Sequence, residues 1–493
     1  MIWRAMLVAA LAASLLLPGA PAAATHGWHS RWVSQSAWPT LQAGAVSEPY
    51  TLTFRNTGTM PWVRGFTESQ QVNLGIRGDD RSFASWAVDW PTPDRVAIQR
   101  ESVVRPGETA SFSFRFRAPS ANGTYRLDLR PVIDGLTWLD DEGVFLLVAV
   151  TGGTARVPTL SDTVVQTGLL IPWDLAFAPD GRMLVTERRG DIRVYASHAP
   201  GAALLSTTRV PGIRAEGEAG LMSIELDPAF ASNGLLYVCV SVTDEGEWRN
   251  QVQRYRMQGD TPVFDAHVIR RGMGANSNHN GCRIRFGPDG KLWVTMGDRG
   301  TPSLAQDPNS LNGKVLRVNA DGSIPADNPV MPGAAARTAV YTMGNRNPQG
   351  LAFQPGTGRA FEVEHGDSTH DEINILVAGG NYGYPNVRGP DGPGGFIDPA
   401  WSSGETVIAP SGADFVAGAA WGSGEGSLFV AQLREADLRR FEVVGNTAVQ
   451  REILLDGKYG RIRTARLGPD GSLYLTTSNG SNDRVVRVTP TLP

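Results

Sequence analysis

Four arginines, a histidine and several acidic residues stand immediately before or after pairs of short apolar segments. The positions before a pair are Glu218, His279, Arg346, Asn347, Arg461 and Arg463, and those after one are Asp298, Glu364, His365, Gly366, Asp367 and Arg434. If the pairs are β-hairpins whose turns share one side of the fold, these residues meet at the opposite end. Bringing so many charges together is costly unless an anionic ligand and a cation compensate for them. The pattern therefore predicts a ligand site, with a solvated rim of ordinary surface charges as the alternative.

The apolar segments belong to a repeat of strand, Pro-Asp-Gly-like turn and second strand. Six copies start at Leu175, Ile224, Ile284, Leu351, Gly424 and Leu467, and the fifth lacks the proline. The copies are too far apart for a simple meander, and such spacing is typical of four-stranded blades around a central channel. Residues 159–493 are therefore predicted to form a six-bladed β-propeller, within an all-β protein.

Residues 25–150 follow a different pattern, in which apolar and polar residues alternate within short segments such as 112–116. Alternation with a period of two is typical of an antiparallel β-sandwich. The stretches 54–62 and 123–126 resemble the immunoglobulin-like domain first described in an autophagy receptor and common in bacterial surface proteins. That resemblance implies a binding or spacer module, which a linker at 151–158 joins to the propeller.

Tryptophan is concentrated in the predicted sandwich. Seven of the 13 tryptophans lie there, namely Trp28, Trp32, Trp38, Trp62, Trp86, Trp90 and Trp138. The simpler interpretation is that they build the core of the sandwich. The alternative is an aromatic surface that stacks on sugar rings and contacts a cell wall or another polysaccharide.

The first 24 residues are typical of a secretory signal peptide. Arg4 precedes an uncharged apolar run, and small residues lead to an expected cleavage site near Ala24. The run is too short for a membrane span, so we expect a secreted or periplasmic protein. With 45 basic and 49 acidic residues, the chain lacks the positive charge of a nucleic-acid-binding protein. Cys239 and Cys282 could form a disulfide in that compartment or remain two buried thiols on neighbouring strands.

Long motifs between residues 160 and 490 are similar to those of the soluble quinoprotein glucose and sorbosone dehydrogenases, including bacterial aldose sugar dehydrogenases. The motifs run from His279 to Arg283, Met296 to Asp298, Leu311 to Pro325, Gly344 to Phe353, Asp371 to Asn374, and Gly379 to Pro385. Several long motifs in one order are more specific than a single short one. The resemblance implies that the propeller binds calcium and pyrroloquinoline quinone (PQQ), an ortho-quinone with three carboxylates.

The resemblance implies catalytic roles for three residues. His279 matches the general base that takes the proton of the sugar's anomeric hydroxyl while hydride passes to the quinone. Asp298 would hold the tautomer of the imidazole ring. Arg346, together with Asn347, would reach the quinone oxygens.

Further arginines match cofactor-binding positions of the family. Arg461 and Arg463 would bind cofactor carboxylates, which a guanidinium group does bidentately. Arg434 stands where the family usually has lysine. Glu218 stands where the best-known members have glutamine, and it would face like charge unless it is protonated or paired with a neighbouring arginine. Asn278 replaces an acidic residue before the base.

Calcium is a hard cation that prefers oxygen ligands. The resemblance implies that it polarises the quinone through the backbone oxygens of Gly366 and Asp367, with Asp371 behind them. Asp367 replaces a proline, and its side chain could add a ligand. Glu372 and Tyr382 match a second, structural calcium site.

Two functions stay open on the sequence alone. One is a secreted, PQQ- and calcium-dependent dehydrogenase that oxidises the anomeric carbon of an aldose to a lactone and passes electrons to an external quinone or cytochrome. The other is a non-catalytic extracellular propeller that binds carbohydrate or protein. The presence of His279, Asp298 and the arginine set favours the enzyme.

Overall fold

The computed structural model describes residues 27–492 except 68, 121, 153–156, 391 and 393. The expected signal peptide over 1–24 and positions 153–156 of the expected linker lie outside the described residues. The chain divides into two compact units, Met1–Thr154 and Ala155–Pro493. Within the described residues, no helix is both long and apolar enough to cross a membrane.

The described part of the first unit contains β-strands and two short 3₁₀ helices, Arg77–Asp79 and Ala84–Trp86. Its strands are β1 (Ser30–Gln35), β2 (Thr40–Gln42), β3 (Tyr50–Asn56), β4 (Trp62–Val63), β5 (Asn73–Ile76), β6 (Ala87–Val88), β7 (Arg95–Ile98), β8 (Val103–Val104), β9 (Thr109–Phe116), β10 (Gly123–Ile133), β11 (Thr137–Trp138) and β12 (Phe145–Thr151). One sheet has the order β1-β3-β9-β6 and the other β2-β12-β10-β5-β7, with β11 beside β10. Strands β4 and β8 form a separate pair.

Alternating burial along these strands produces the core of the first unit. In β9, Ala110, Phe112, Phe114 and Phe116 are buried, whereas the residues between them are not. They belong to one apolar cluster with Leu127 and other residues of β10 and β12 from the second sheet. Two sheets that share an apolar core in this way form a β-sandwich, as the alternation in the sequence predicts.

The tryptophans of the first unit divide between its core and its surface. Trp28, Trp62 and Trp86 are buried in the core, whereas Trp32 is 43% exposed and Trp38 is 51% exposed. The core interpretation therefore holds for the first three residues, and the two exposed rings remain available for contacts with a ligand.

The second unit contains two short α-helices, α1 (Phe230–Asn233) and α2 (Ser303–Gln306), and a 3₁₀ helix, Ala419–Gly424, among its described residues. Its strands are β13 (Thr159–Leu169), β14 (Pro172–Phe177), β15 (Met183–Glu187), β16 (Asp191–Tyr195), β17 (Leu204–Arg209), β18 (Leu221–Leu226), β19 (Leu235–Asp244), β20 (Glu247–Gln258), β21 (Thr261–Ile269), β22 (Gly281–Phe286), β23 (Leu292–Met296), β24 (Lys314–Val318), β25 (Val340–Met343), β26 (Asn347–Phe353), β27 (Ala360–His365), β28 (Glu372–Ile375), β29 (Trp401–Ser402), β30 (Pro410–Phe415), β31 (Leu428–Gln432), β32 (Leu438–Val444), β33 (Thr447–Leu454), β34 (Ile462–Leu467), β35 (Leu473–Thr477) and β36 (Asp483–Thr491).

Over the described residues, these strands form six four-stranded antiparallel sheets. Five sheets consist of consecutive strands, β14 to β17, β18 to β21, β22 to β25, β26 to β29 and β30 to β33. The first strand of each sheet contacts the first strand of the next, and β34 of the sixth sheet contacts β14. The sheets therefore close into a ring, which is the strand arrangement of a β-propeller.

The sixth sheet joins the two ends of the ring. It has the order β13-β36-β35-β34, so that its outermost strand comes from the start of the unit. β13 pairs with β36 from Thr159 opposite Thr491 to Leu169 opposite Asp483. The Asp483 carboxylate also accepts the backbone N–H of Ile171 at 3.0 Å. The repeat in the sequence did not reveal this contribution of β13.

The Pro-Asp-Gly segments of the repeat form one type of turn. Asp180, Asp289 and Asp470 each accept, through Oδ1, the N–H of the residue two positions later, at 3.1, 3.0 and 3.1 Å. The glycine after each aspartate has a positive φ (94°, 70° and 75°), a conformation that glycine adopts without strain. The turns fix the register of the hairpins and leave their open ends at the other side of each sheet.

A disulfide links two sheets of the ring. Cys239 of β19 and Cys282 of β22 are bonded to each other, with their Cα atoms 5.6 Å apart. Both residues are buried. Of the two alternatives that the sequence left open, the structure contains the disulfide, and it ties the strand that follows His279 to the neighbouring sheet.

We expect every chain to contain this disulfide. Ellman's reagent added to unreduced protein in guanidinium should detect no thiol, and two per chain after reduction. Replacing both cysteines (Cys239→Ser with Cys282→Ser) should lower the free energy of unfolding by about 2–4 kcal/mol, because the bond restricts the unfolded chain. Two free thiols in the unreduced protein would contradict the prediction.

Candidate active site

His279 and Asp298 form a hydrogen-bonded pair at the open end of the β22–β23 hairpin. Nδ1 of His279 lies 2.7 Å from Oδ1 of Asp298, whose side chain is fully buried. The same oxygen accepts the N–H of Gly300 at 2.7 Å. Because the carboxylate accepts the proton of Nδ1, Nε2 of His279 is the basic nitrogen of the ring.

The backbone of His279 adopts a left-handed conformation, with a φ of 53°. Its N–H donates to Oε2 of Glu218 at 2.9 Å, and its carbonyl accepts the N–H of Arg299 at 3.1 Å. A Cβ atom at Gly297 would lie 2.1 Å from that carbonyl oxygen. Glycine at this position therefore permits the close approach that holds His279 in place.

Glu218, which precedes β18, connects the segment before β22 with β26 through one carboxylate oxygen. Besides the His279 N–H, Oε2 accepts Nδ2 of Asn347 at 3.2 Å and Nε2 of Gln349 at 3.2 Å. The other end of the Gln349 amide, Oε1, accepts Nη1 of Arg463 at 2.6 Å. Glu218 is thus linked by hydrogen bonds to the base and, through Gln349, to an arginine.

Arg463 is a buried guanidinium with an incomplete set of partners. Burial and the positive charges of Arg461, Arg283 and Arg188 together lower its pKa to about 9, against the opposing effect of the Glu218 charge. These three arginines therefore lie near enough to Arg463 for their charges to act on it. Within the described residues, Nε of Arg463 has no hydrogen-bond partner. An anionic ligand would relieve this excess of positive charge.

Arg346 connects the base to the loop that follows β27. Its N–H donates to Oε2 of Glu364 at 2.8 Å, and its carbonyl accepts the N–H of Asp298 at 2.8 Å. Nη1 donates to the carbonyl of His365 at 3.3 Å, and Nη2 lies 3.7 Å from Oδ1 of Asp367. The guanidinium is therefore held between the Asp298 segment and the predicted calcium loop.

Asp371 determines the shape of that loop. Its Oδ1 accepts the N–H of Gly366 at 2.8 Å, and its Oδ2 accepts those of Ile408 and Ala409 at 2.6 and 2.8 Å. A Cβ atom at Gly366 would lie 2.0 Å from the carbonyl oxygen of Thr369. Both oxygens of Asp371 are therefore engaged by backbone N–H groups, and the loop is too tight for a side chain at position 366.

Three buried glutamates surround the amide of Asn374. Its Nδ2 donates to Glu362 at 2.8 Å, to Glu372 at 3.2 Å and to Glu364 at 3.5 Å. Burial, with the charges of neighbouring acids, raises the pKa of Glu362 to about 8, that of Glu372 to about 7, and that of Glu364 as well. Within the described residues, no three His, Cys, Asp or Glu side chains are arranged to hold a metal ion by themselves. A cation here would therefore also need carbonyl or amide oxygens.

Several buried polar atoms of this region have no hydrogen-bond partner among the described residues. They are Nε of Arg188, Arg346 and Arg463, Nε2 of His365 and Oδ2 of Asp298. Buried polar groups normally have a partner, so an accumulation of unpartnered N–H groups indicates a missing acceptor. A flat molecule with several carboxylate and carbonyl oxygens meets this requirement.

The structure brings most of the predicted site residues together through these contacts. The linked residues are Glu218, His279, Asp298, Arg346, Asn347, Gly366, Asp367, Asp371 and Arg463. Arg461 has an exposed side chain whose charge acts on Arg463. Arg434 is exposed, and within the described residues its guanidinium has no hydrogen bond or ion pair. The hydroxyl of Tyr382 donates to the carbonyl of Ile375 at 2.5 Å, so its oxygen is already engaged.

Two residues of the site were missed in the sequence. Gln349 lies two positions after Asn347 in β26, and both side chains donate to Glu218. Arg188 follows β15 directly, the position in its hairpin that corresponds to the segment of Asp298 after β23. The other residues were identified because they lie at the open end of a hairpin, near the start of its first strand or after its second strand. The same criterion, applied to every hairpin, would have identified these two residues.

Comparison with known proteins identifies the class. The sequence profile of the glucose/sorbosone dehydrogenase family matches residues 169–487. The chain belongs to this family and is therefore a dehydrogenase, which confirms the resemblance seen in the motifs.

Individual relatives cover the same region. The aldose sugar dehydrogenase of Escherichia coli is 33% identical in an alignment of 354 positions that covers 68% of this chain and 94% of that protein. Quinoprotein glucose dehydrogenase B of Acinetobacter calcoaceticus is 33% identical over 48% of this chain and 54% of its own length. The PQQ-bound structure of the aldose sugar dehydrogenase of Streptomyces coelicolor has a TM-score of 0.58 and 34% identity, covering 67% of this chain and 98% of its own.

The contacts of Asp371 predict the effect of neutralising it. Asp371→Asn should lower the free energy of unfolding by about 1–3 kcal/mol, because an amide nitrogen cannot accept an N–H and leaves a backbone donor unpaired. Amide hydrogen exchange at Gly366, Ile408 and Ala409 should become faster. Asp367→Asn, in the same loop, is the control, and its exposed ion pair with Arg388 is worth less than about 1 kcal/mol. Unchanged exchange at all three amides would contradict the prediction.

Proposed function

We propose that this protein is a PQQ- and calcium-dependent dehydrogenase that oxidises the anomeric carbon of an aldose sugar to a lactone. The observation that carries the proposal is the His279–Asp298 pair, set beside guanidinium groups whose buried N–H groups have no acceptor in the part of the chain that the structure describes. Such a site combines a general base with donors for an anion. The names of the relatives, an aldose sugar dehydrogenase and a quinoprotein glucose dehydrogenase, agree with this combination.

The residues at the site fit the chemistry of PQQ. Arg461 and Arg463 would hold carboxylates, because a guanidinium group pairs with a carboxylate through two parallel hydrogen bonds. Arg346 and Asn347 would hold the quinone oxygens, and Arg434 has an exposed, unpaired guanidinium that would close over the cofactor. Glu218 already accepts three hydrogen bonds from its own chain, so its charge is shared with protein donors. It therefore repels the cofactor less than a free carboxylate would.

The chain's own residues would move the proton in the reaction. Asp298 keeps the proton of the imidazole on Nδ1, so Nε2 of His279 takes the proton of the anomeric hydroxyl. When bound, the quinone supplies the acceptor for the hydride from the anomeric carbon. Loss of one proton and one hydride converts the hemiacetal into a lactone. The Asp298 carboxylate then stabilises the imidazolium, and Arg346 holds the Asp298 segment through its carbonyl.

Calcium would bind beside the cofactor through the backbone oxygens of Gly366 and Asp367. The role of Asp371 in this proposal is to shape the loop, because backbone N–H groups engage both of its oxygens. Glu372, with the backbone of Tyr382, would form a second, structural calcium site. Burial, together with the charges of Asp371 and Asp398, raises the pKa of Glu372, and a divalent cation there would stabilise its carboxylate form.

The enzyme would combine two domains and work outside the cytoplasm. The ring of six sheets would be a six-bladed β-propeller, and the sandwich an immunoglobulin-like domain. Residues 1–24 would direct the chain to the periplasm or the exterior, where a quinone or cytochrome accepts the electrons. Trp32 and Trp38 give the sandwich two exposed rings for contact with a polysaccharide.

Reconstitution of the purified apoprotein tests the proposal. We expect PQQ with Ca²⁺ to support reduction of a dye by at least one of a panel of aldoses, and a chelator to abolish it. His279→Ala should bind the cofactor but lose at least about 100-fold in kcat, because general-base catalysis contributes that much. His267→Ala, at an exposed position of β21, is the control and should stay active. Absence of PQQ binding would contradict the proposed enzyme, and a fully active His279→Ala variant would contradict the role of His279 as the base. Binding without turnover would favour the non-catalytic alternative.

A second variant tests the part played by Asp298. Asp298→Asn should lower kcat by up to about 10⁴-fold with little change in KM, because the amide neither fixes the productive tautomer nor stabilises the imidazolium. Steady-state kinetics with saturating PQQ measures both constants. Asp321→Asn, in an exposed turn, is the control. A kcat for Asp298→Asn close to that of the wild type would show that His279 does not need its carboxylate.

A further inference from the structure

Arg188 stands at the open end of the first hairpin, and its backbone is fixed by two neighbouring strands. Its N–H donates to the carbonyl of Ile171 at 3.0 Å, and its carbonyl accepts the N–H of Leu221 at 2.8 Å. A Cβ atom at Gly220 would lie 2.8 Å from Cγ of Arg188, so the side chain packs directly against that glycine. Gly220 is two residues after Glu218, and the stem of Arg188 therefore starts beside the centre of the site.

The guanidinium of Arg188 has no acidic partner in the described part of the chain. Within the described residues it forms no ion pair and no side-chain hydrogen bond, and its Nε is buried without an acceptor. The adjacent acid, Glu187, is occupied, because its two oxygens accept Nε of Arg193 at 2.9 Å and the N–H of Leu170 at 2.7 Å. A half-buried arginine without an anion is costly, which indicates that the anion is a ligand.

Arg188 also lies on the side of the ring where Glu218, Arg461 and Arg463 meet. Its charge acts on Arg463, as do the charges of Arg461 and Glu218. The sequence raised the question of how a tricarboxylate could bind next to Glu218. A third guanidinium adds positive charge to the site, which offsets the negative charge that Glu218 brings to it and favours the binding of a tricarboxylate.

We propose that Arg188 is a cofactor-binding residue that pairs with a carboxylate of PQQ beside Arg461 and Arg463. This inference rests on the proposed function, since it assumes that PQQ is the ligand. It adds a residue of the first sheet, at the end of β15, to a site otherwise built from later sheets.

Direct binding of PQQ to the apoprotein tests the inference without turnover. Quenching of tryptophan fluorescence in the presence of Ca²⁺ gives Kd for the wild type, Arg188→Gln and Arg189→Gln. Arg188→Gln should raise Kd by about 10- to 100-fold, the loss expected for a charge-assisted pair. Arg189→Gln, whose side chain is exposed, is the matched control and should change Kd less than about twofold.

A modified ligand separates a carboxylate contact from a general loss of structure. The trimethyl ester of PQQ has no free carboxylate, so the wild type and Arg188→Gln should bind it with equal affinity. Arg188→Lys keeps the charge and the stem against Gly220, and it should recover part of the affinity for PQQ. This variant also serves if Arg188→Gln does not fold, and the thermal unfolding of each apoprotein shows whether it does.

The outcomes distinguish the two proposals. Tight binding by the wild type with an unchanged Kd for Arg188→Gln would overturn the role of Arg188 and leave the proposed function standing. A loss of affinity that is equal for PQQ and its trimethyl ester would also overturn it, because the contact would not involve a carboxylate. Failure of the wild type to bind PQQ would overturn the proposed function and this inference together.

Discussion

Charge buried at the centre of the ring is the constraint on which the second unit depends. Asp174 of β14 is fully buried, and its carboxylate lies 2.9 Å from a guanidinium nitrogen of Arg283 and 2.9 Å from one of Arg285. Burial alone would raise the pKa of Asp174, but these arginines hold it well below its usual range. Glu225 pairs with Arg466 at 2.8 Å and completes a chain of charges contributed by four different sheets. Because the loss of any member would leave an uncompensated buried charge, the inner strands must keep a fixed order and register.

The site differs from this central network in that Arg188 and Arg463 have no carboxylate partner among the described residues. Arg283 and Arg466 have carboxylate partners, whereas Arg463, a few residues earlier along the strand of Arg466, relies on Gln349 and leaves its Nε unpaired. The paired charges of the network keep the inner strands in position and so hold the arginines of the site in a fixed arrangement. Donors fixed in advance need no reorganisation when charge develops on a ligand, which is the basis of electrostatic catalysis.

Features that depend on local sequence could be predicted. The turns at Asp180, Asp289 and Asp470 depend on a side chain bonding two residues ahead, and hairpin geometry then identifies His279 and Asp298 as neighbours. Features that depend on distant pairing could not be predicted. No local pattern assigns β13 to the last sheet, decides whether Cys239 meets Cys282, or shows that Asp371 binds the backbone at Ile408. The sequence around Glu218 suggested an unpaired carboxylate that would repel an anionic ligand. Its three hydrogen-bond donors lie at positions 279, 347 and 349, too far along the chain to be recognised from that sequence.

The way in which the ring closes determines when the second unit can fold. In the sixth sheet, Ser161 pairs with Thr489, 328 positions away along the chain. Among the described residues, β13 pairs with no strand of its sheet other than β36, so the sixth sheet stays incomplete until β36 is in place. Contacts between such distant residues form slowly, and an open ring exposes strand edges that favour aggregation. A truncated chain that lacks β36 would lose the strand that joins both ends of the ring, and folding of this unit is therefore close to all-or-none.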